Sequence, residues 1–185
     1  MNATLIKDTF TYFAKFPLKA GVLKNFSKNI SSYFTGYDTF KAAITALTPH
    51  SLITNLDEYI FGSDLMSVTK RVEHVNGIYL FVDFGNIYDT LLEPMKTEQG
   101  EFTIAVTVAR KTPADDLDSI EQILLSDITL AMITTLKDLA RIDTKTSPFL
   151  KHLTLPLDIT PWFARDLFNS TGWTITFKVK GIHLV

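Results

Sequence analysis

A carboxylate standing alone in an apolar strand is a candidate for metal-assisted chemistry, and Asp83 is such a residue, set between Tyr79-Leu80-Phe81-Val82 and Phe84. Held in a sheet, it could bind a divalent cation that activates water for phosphodiester cleavage. That chemistry calls for a second acid, and often a lysine, on the adjacent strand. The stretch 103–111, which would pair with it, holds no acid and ends in Arg110 and Lys111, so a second acid would have to come from Glu73. The histidines His50, His74, His152 and His183 share no metal-ligand spacing and no H-E-x-x-H pattern. G-x-G-x-x-G, the P-loop and G-x-S-x-G are missing as well, which leaves phosphate cradling and a serine nucleophile without local support. No catalytic residue, metal ligand or cofactor is assigned on these grounds. Asp83 reads as an acid on the outward side of a half-exposed strand, and Trp162 and Trp173 read as core.

The elements that would position these residues centre on a long helix signal from Thr112 to Arg141. Thr112, Pro113 and Asp115 form a start, with Asp116 and Asp118 also suited to the positive end of the helix dipole. Leu117, Ile120, Leu124, Leu125, Ile128, Met132, Leu136 and Leu139 recur at helical steps and are assigned to the core face. Ile123, Leu130 and Ile133 fall outside that set and form a second apolar strip. A second strip needs a second cover, either another part of the chain or a neighbouring subunit.

Before that helix, Leu5, Ile6, Phe10, Phe13 and Phe16 fit one helical face ended by Pro17, and Leu18 to Tyr37 reads as a loop or arm. Asp38 to Leu47 and Leu52 to Ile60 carry helical spacing, the second opened by Thr48-Pro49 and closed by Gly62. Met66, Val68 and Val72 then alternate as in a strand, and Asn76-Gly77 suits a tight hairpin turn. Ile78 to Phe84 follows as a strand, with a bulge at Gly85-Asn86 and a polar hairpin tip from Pro94 to Gly100. Phe102 to Val108 completes a three-stranded meander. After the helix come a short edge strand in Phe149 to Leu157, a helix opened by Thr160-Pro161, and a clean alternating strand from Gly172. Trp173, Ile175, Phe177 and Val179 point inward from it. The expected fold is α+β: an antiparallel sheet, the meander plus a C-terminal strand, packed against one long helix, with a helical N-terminal region.

A chain of 185 residues, 46% hydrophobic and 21% charged, can bury one real core. Residues 1–62 read as a helical region or arm beside a core of 63–185, or the whole chain as a single domain. No cysteine is present, which removes disulfides and thiolate metal sites and fits a reducing compartment. No membrane span or secretory signal is expected. The net charge of −2 is segregated: +4 over residues 1–56, −9 over 57–127 and +3 over 128–185. Opposite-sign faces of this kind orient neighbours in self-association. The acidic middle argues against a nucleic-acid-binding face built there; Lys15, Lys19, Lys24 and Lys28 form the one plausible phosphate-contacting stretch and read first as the polar side of an amphipathic segment.

The order of helical region, meander, long helix, loop and final strand, with FNSTGWTITFKVKGI read beside SIEQILLSDITLAMITTLKDL, resembles the tail-completion, tail-terminator and neck proteins of tailed bacteriophages. The resemblance covers roughly residues 64–185. It implies a structural virion protein, assembled in the host cytoplasm, forming a homo-oligomeric head-to-tail connector ring around the DNA channel and meeting portal and tail proteins. DNA would pass through the ring without specific binding. Ile123, Leu130 and Ile133 would then help form the subunit interface. Two alternatives are a metal-dependent nuclease or other nucleic-acid-processing enzyme centred on Asp83, and a monomeric acidic partner-binding module of the immunity type.

Overall fold

The computed structural model describes residues 4–27, 32–92, 97–112, 117–151 and 153–182, with backbone alone at 86–92, 97–99 and 180–182. Three helices open the chain: α1 (Leu5–Phe13), α2 (Lys19–Leu23) and α3 (Tyr37–Thr45). Leu5, Phe10, Phe13 and Phe16 pack inward as their spacing predicts, while Ile6, assigned to the same face, is exposed. Phe10 sits edge-on to Phe26, Phe40, Tyr59 and Phe61, with ring centroids 4.9 to 5.9 Å apart. The stretch read as a loop or arm contains α2, whose Gly21 lies so close to the next strand that a Cβ there would meet the Asp57 carbonyl oxygen at 2.1 Å. Residues 28–31 of that stretch lie outside the described residues.

Strand β1 (Leu56–Phe61) and helix α4 (Leu65–Glu73) reverse the expectation for this region, where a helix was assigned to the first and a strand to the second. The α4 start decides it. Asp64 accepts from the Ser67 backbone N–H at 3.0 Å and from the Ser67 hydroxyl at 2.6 Å, an N-cap that fixes the first turn. Val68 and Val72 then fall one turn apart and are both buried. Their alternation with Ser67, Thr69 and Arg71 had imitated a strand. Because β1 pairs with β2 (Ile78–Leu92) in parallel, it needs a crossover, and α4 is that crossover. Asn76-Gly77 therefore leads out of the crossover into β2 and makes no hairpin.

Strands β2 and β3 (Thr97–Arg110) pair antiparallel as expected, and the bulge falls between Phe84 and Ile87. Their pairing runs out to Leu92 and Thr97, so Thr97 to Gly100, assigned to the hairpin tip, is strand, while the rest of that predicted tip, 94–96, lies outside the described residues. The long helix α5 (Ser119–Asp143) starts later than expected. Asp118 is its N-cap, accepting from Ile120 N–H and Glu121 N–H, while Glu121 accepts from Asp118 N–H in a reciprocal capping box. Pro113, Asp115 and Asp116 lie outside the described residues.

Thr160-Pro161 opens no helix. Both residues belong to strand β4 (Ile159–Ala164), followed by a 3-10 turn at Arg165–Leu167 and by β5 (Ser170–Ile182). β4 is the last strand of the sheet order β1-β2-β3-β5-β4, and an edge tolerates a proline because no ladder donor is missed there. The sheet is mixed, with one parallel pair among antiparallel ones, which corrects the all-antiparallel expectation. Among the described residues of Phe149 to Leu157 an isolated bridge, Leu153 to Val179, stands in place of the expected edge strand.

Alternate residues of each strand point to opposite faces. One face carries Leu80, Val82, Val106, Ile175 and Phe177 under α1 and α5. The other carries Tyr79 and Ala109 under α4, through Val68 and Val72. At the outer edge of β1 the carbonyls of Leu56, Tyr59 and Phe61 accept from Leu18 N–H, the Asn25 amide and Arg71, so that edge is covered by the chain itself.

Candidate functional site

Helix α5 is fastened at both ends. Trp173 Nε1 donates to the Ser126 carbonyl and hydroxyl, each at 3.1 Å, and the Tyr12 hydroxyl donates to Asp143 Oδ2 at 2.9 Å, where Lys15 also forms an ion pair. Burial and the Asp143 carboxylate together push the Tyr12 hydroxyl well above its usual range, so it remains a donor. These anchors turn Leu125, Thr129, Met132, Ile133, Leu136 and Ala140 onto the sheet. The positions step by four, three, one, three and four, the pattern of one helical face. Thr129 is tolerated there because its hydroxyl donates back to the Leu125 carbonyl at 2.9 Å.

This face differs from both strips assigned from spacing. Ile133, placed on the second strip, is fully buried in the chain's own core, and Leu130 packs partly against the same core. Of the three residues proposed for a subunit interface, Ile123 alone is exposed. It is joined by Ile120, Leu124 and Ile128, which spacing had put in the core; Ile120, Ile123, Leu124 and Ile128 are 63%, 57%, 56% and 48% exposed. At about 100° per residue these four lie on the side of α5 away from the sheet. Asp118, Glu121 and Asp127 are exposed beside them, and residues 118–128 contain no basic residue.

A second surface lies across the sheet. A cavity of about 470 Å³ opens between α2, β1 and α4 and is lined by Lys24, Asn25, Glu58, Lys70, Arg71 and His74, among others. Lys24 is paired with Glu58, while one Arg71 nitrogen is held by the neutral Asn25 and Phe61 carbonyls at 3.1 and 2.9 Å. Among the described residues, neither Lys70 nor Arg71 has a carboxylate within ion-pair distance. At the start of α4, Leu65 and Met66 are 57% and 71% exposed. Lys24 was read as part of a basic series in the N-terminal arm. The fold instead joins it to α4, a grouping invisible in a sequence where 46 positions separate Lys24 from Lys70.

Asp83 stands on β2 opposite Ala105, which is in turn opposite Thr176 on β5. Its Oδ1 is buried without a hydrogen-bond partner among the described residues, and desolvation raises its pKa. Glu73, the acid considered as its companion, ends α4. Among the described residues, no three His, Asp or Glu side chains converge as metal ligands. His50 is part-buried with Nδ1 unpartnered, His74 is exposed, and His152 and His183 lie outside the described residues. Trp173 packs against the main core and Trp162 against the smaller one. No described helix is long and apolar enough to cross a membrane. No known protein family matches the sequence, and no curated protein or solved structure matches it either.

Proposed function

We propose that this chain is a non-enzymatic structural subunit that assembles with copies of itself into a ring, in the manner of the head-to-tail junction proteins of tailed bacteriophages. In that role it is a virion component, built in the host cytoplasm, that meets portal or tail proteins and lets DNA pass. The observation that carries the reading is the uncovered apolar strip on α5, where Ile120, Ile123, Leu124 and Ile128 face away from their own core. Contiguous apolar surface of this kind usually marks a contact. The order of strands, long helix and final strand supports the same reading, as does the segregation of charge along the chain.

In this reading the contact shifts within the helix: the exposed Ile123 stays in it and the exposed Ile120, Leu124 and Ile128 enter, while the buried Ile133 and the part-buried Leu130 leave. The double variant Ile123→Asp/Leu124→Asp is the direct test, because both side chains are more than half exposed. It keeps the wild-type circular dichroism spectrum and loses self-association in sedimentation velocity. Unchanged association of a folded double variant would remove the strip from the interface and the proposal with it.

A further inference from the structure

We infer that the α5 strip of one copy docks on the α4 surface of the next, so the contact is made by two unlike patches; this rests on the self-assembly proposed above. The two patches match in kind. The α5 patch is acidic and apolar, with Asp127 and the two capping-box acids Asp118 and Glu121 beside Ile120, Ile123, Leu124 and Ile128. The α4 patch is apolar at the exposed Leu65 and Met66 and carries Lys70, Arg71 and His74 with one acid, Glu73, among them. Two of the acids near α4, Glu58 and Asp64, are engaged locally. Glu58 pairs with Lys24 and Asp64 caps the helix through Ser67, whereas Glu73 gives Lys111 Nζ only its backbone carbonyl, at 2.7 Å, and keeps its carboxylate exposed. Lys70 and Arg71 have no carboxylate within ion-pair distance among the described residues, Lys70 acting on Asp64 only at longer range, and the acids of α5 complement them.

Position in the fold adds a second argument. α5 covers the sheet face that carries Leu80 and Val82, and α4 covers the face that carries Tyr79. One molecule cannot bring its own α4 and α5 surfaces together through the sheet between them. Two unlike patches on opposite sides produce head-to-tail association, which closes as a ring or extends as a filament, whereas a self-complementary patch stops at a dimer.

The test uses Leu124→Asp, which spoils the α5 patch, and Met66→Asp, which spoils the α4 patch; both positions are solvent-exposed, so the fold is retained. Each variant alone is monomeric by native mass spectrometry. Mixed in equal amounts they form a one-to-one dimer and nothing larger, because each supplies the patch the other lacks. A second pair tests charge: Lys70→Glu weakens assembly at least about tenfold, and adding Asp127→Lys restores it. Assembly of Met66→Asp at the wild-type level, or a mixture that stays monomeric, overturns the pairing while leaving self-assembly standing. A monomeric wild type overturns both.

Discussion

The sharpest consequence of the α5 geometry is a contrast between two isoleucines ten positions apart that the sequence spacing had placed together. Ile133 is fully buried between α5 and the sheet, and Ile123 is 57% exposed. Truncating a buried isoleucine to alanine removes its transfer free energy and leaves a cavity, about 2–5 kcal/mol in total. At Ile123 more than half of the side chain is already in water, so the loss stays below about 1 kcal/mol, and alanine's better helix propensity returns a few tenths of that. For a chain of this size, about 2–4 °C is lost per kcal/mol, so Ile133→Ala lowers Tm by roughly 4–20 °C while Ile123→Ala leaves it within a few degrees. The assay is thermal and urea unfolding followed by circular dichroism, at a concentration low enough that association does not add to stability. A constant m-value shows that the same surface unfolds in each protein. An Ile133→Ala variant within about 1 kcal/mol of wild type, or an Ile123→Ala variant that costs more than Ile133→Ala, would refute the helix orientation.

Other outcomes follow from the same geometry. Gly172→Ala would place a Cβ 2.0 Å from the Val108 carbonyl oxygen and 2.7 Å from Ala109 Cα, both backbone atoms, so β3 and β5 must part; the expected loss is about 1–3 kcal/mol in urea unfolding. Asp118→Ala breaks the capping box and costs about 1 kcal/mol, with faster amide exchange at Ile120 and Glu121 as its local signature. Asp83→Asn stabilises the protein at neutral pH, because desolvation raises the folded pKa of Asp83 above its unfolded value. The cost of the charged form is fully present above the folded pKa and is relieved as pH falls through it towards the unfolded value, so the gap between variant and wild type closes in acid. Solvent reaches part of that carboxyl and keeps the effect small; a gap that widens in acid would show the sign to be wrong.

Long periodic segments were legible in the sequence. β2, β3 and β5 alternate over many residues, α1 has a clean aromatic face, and α5 is too long to mistake for a strand. The short segments were not. Residues 56–61 and 65–73 each offer a few apolar positions compatible with either period: a parallel partner in β2 decided the first, and the local Asp64 cap decided the second. Thr160-Pro161 looks the same at a helix start and on a sheet edge, because in both places the missing proline N–H has no partner to lose. The orientation of α5 was hidden because its first half is apolar on several sides. Two of its six core positions are Thr129 and Ala140, which carry little hydrophobic signal, while Ile120, Leu124 and Ile128 carry a strong one and lie outside. The α4 surface could not be read from sequence at all, since parallel pairing brings α2, β1 and α4 around one cavity.

The central claim, that the uncovered face of α5 exists to be covered by another copy, is tested most directly by the mass of the intact wild-type protein under native conditions. The account predicts a closed species of several copies at a single defined stoichiometry, dissociated by Ile123→Asp/Leu124→Asp. A wild-type chain that remains monomeric at concentrations of tens of micromolar would contradict it.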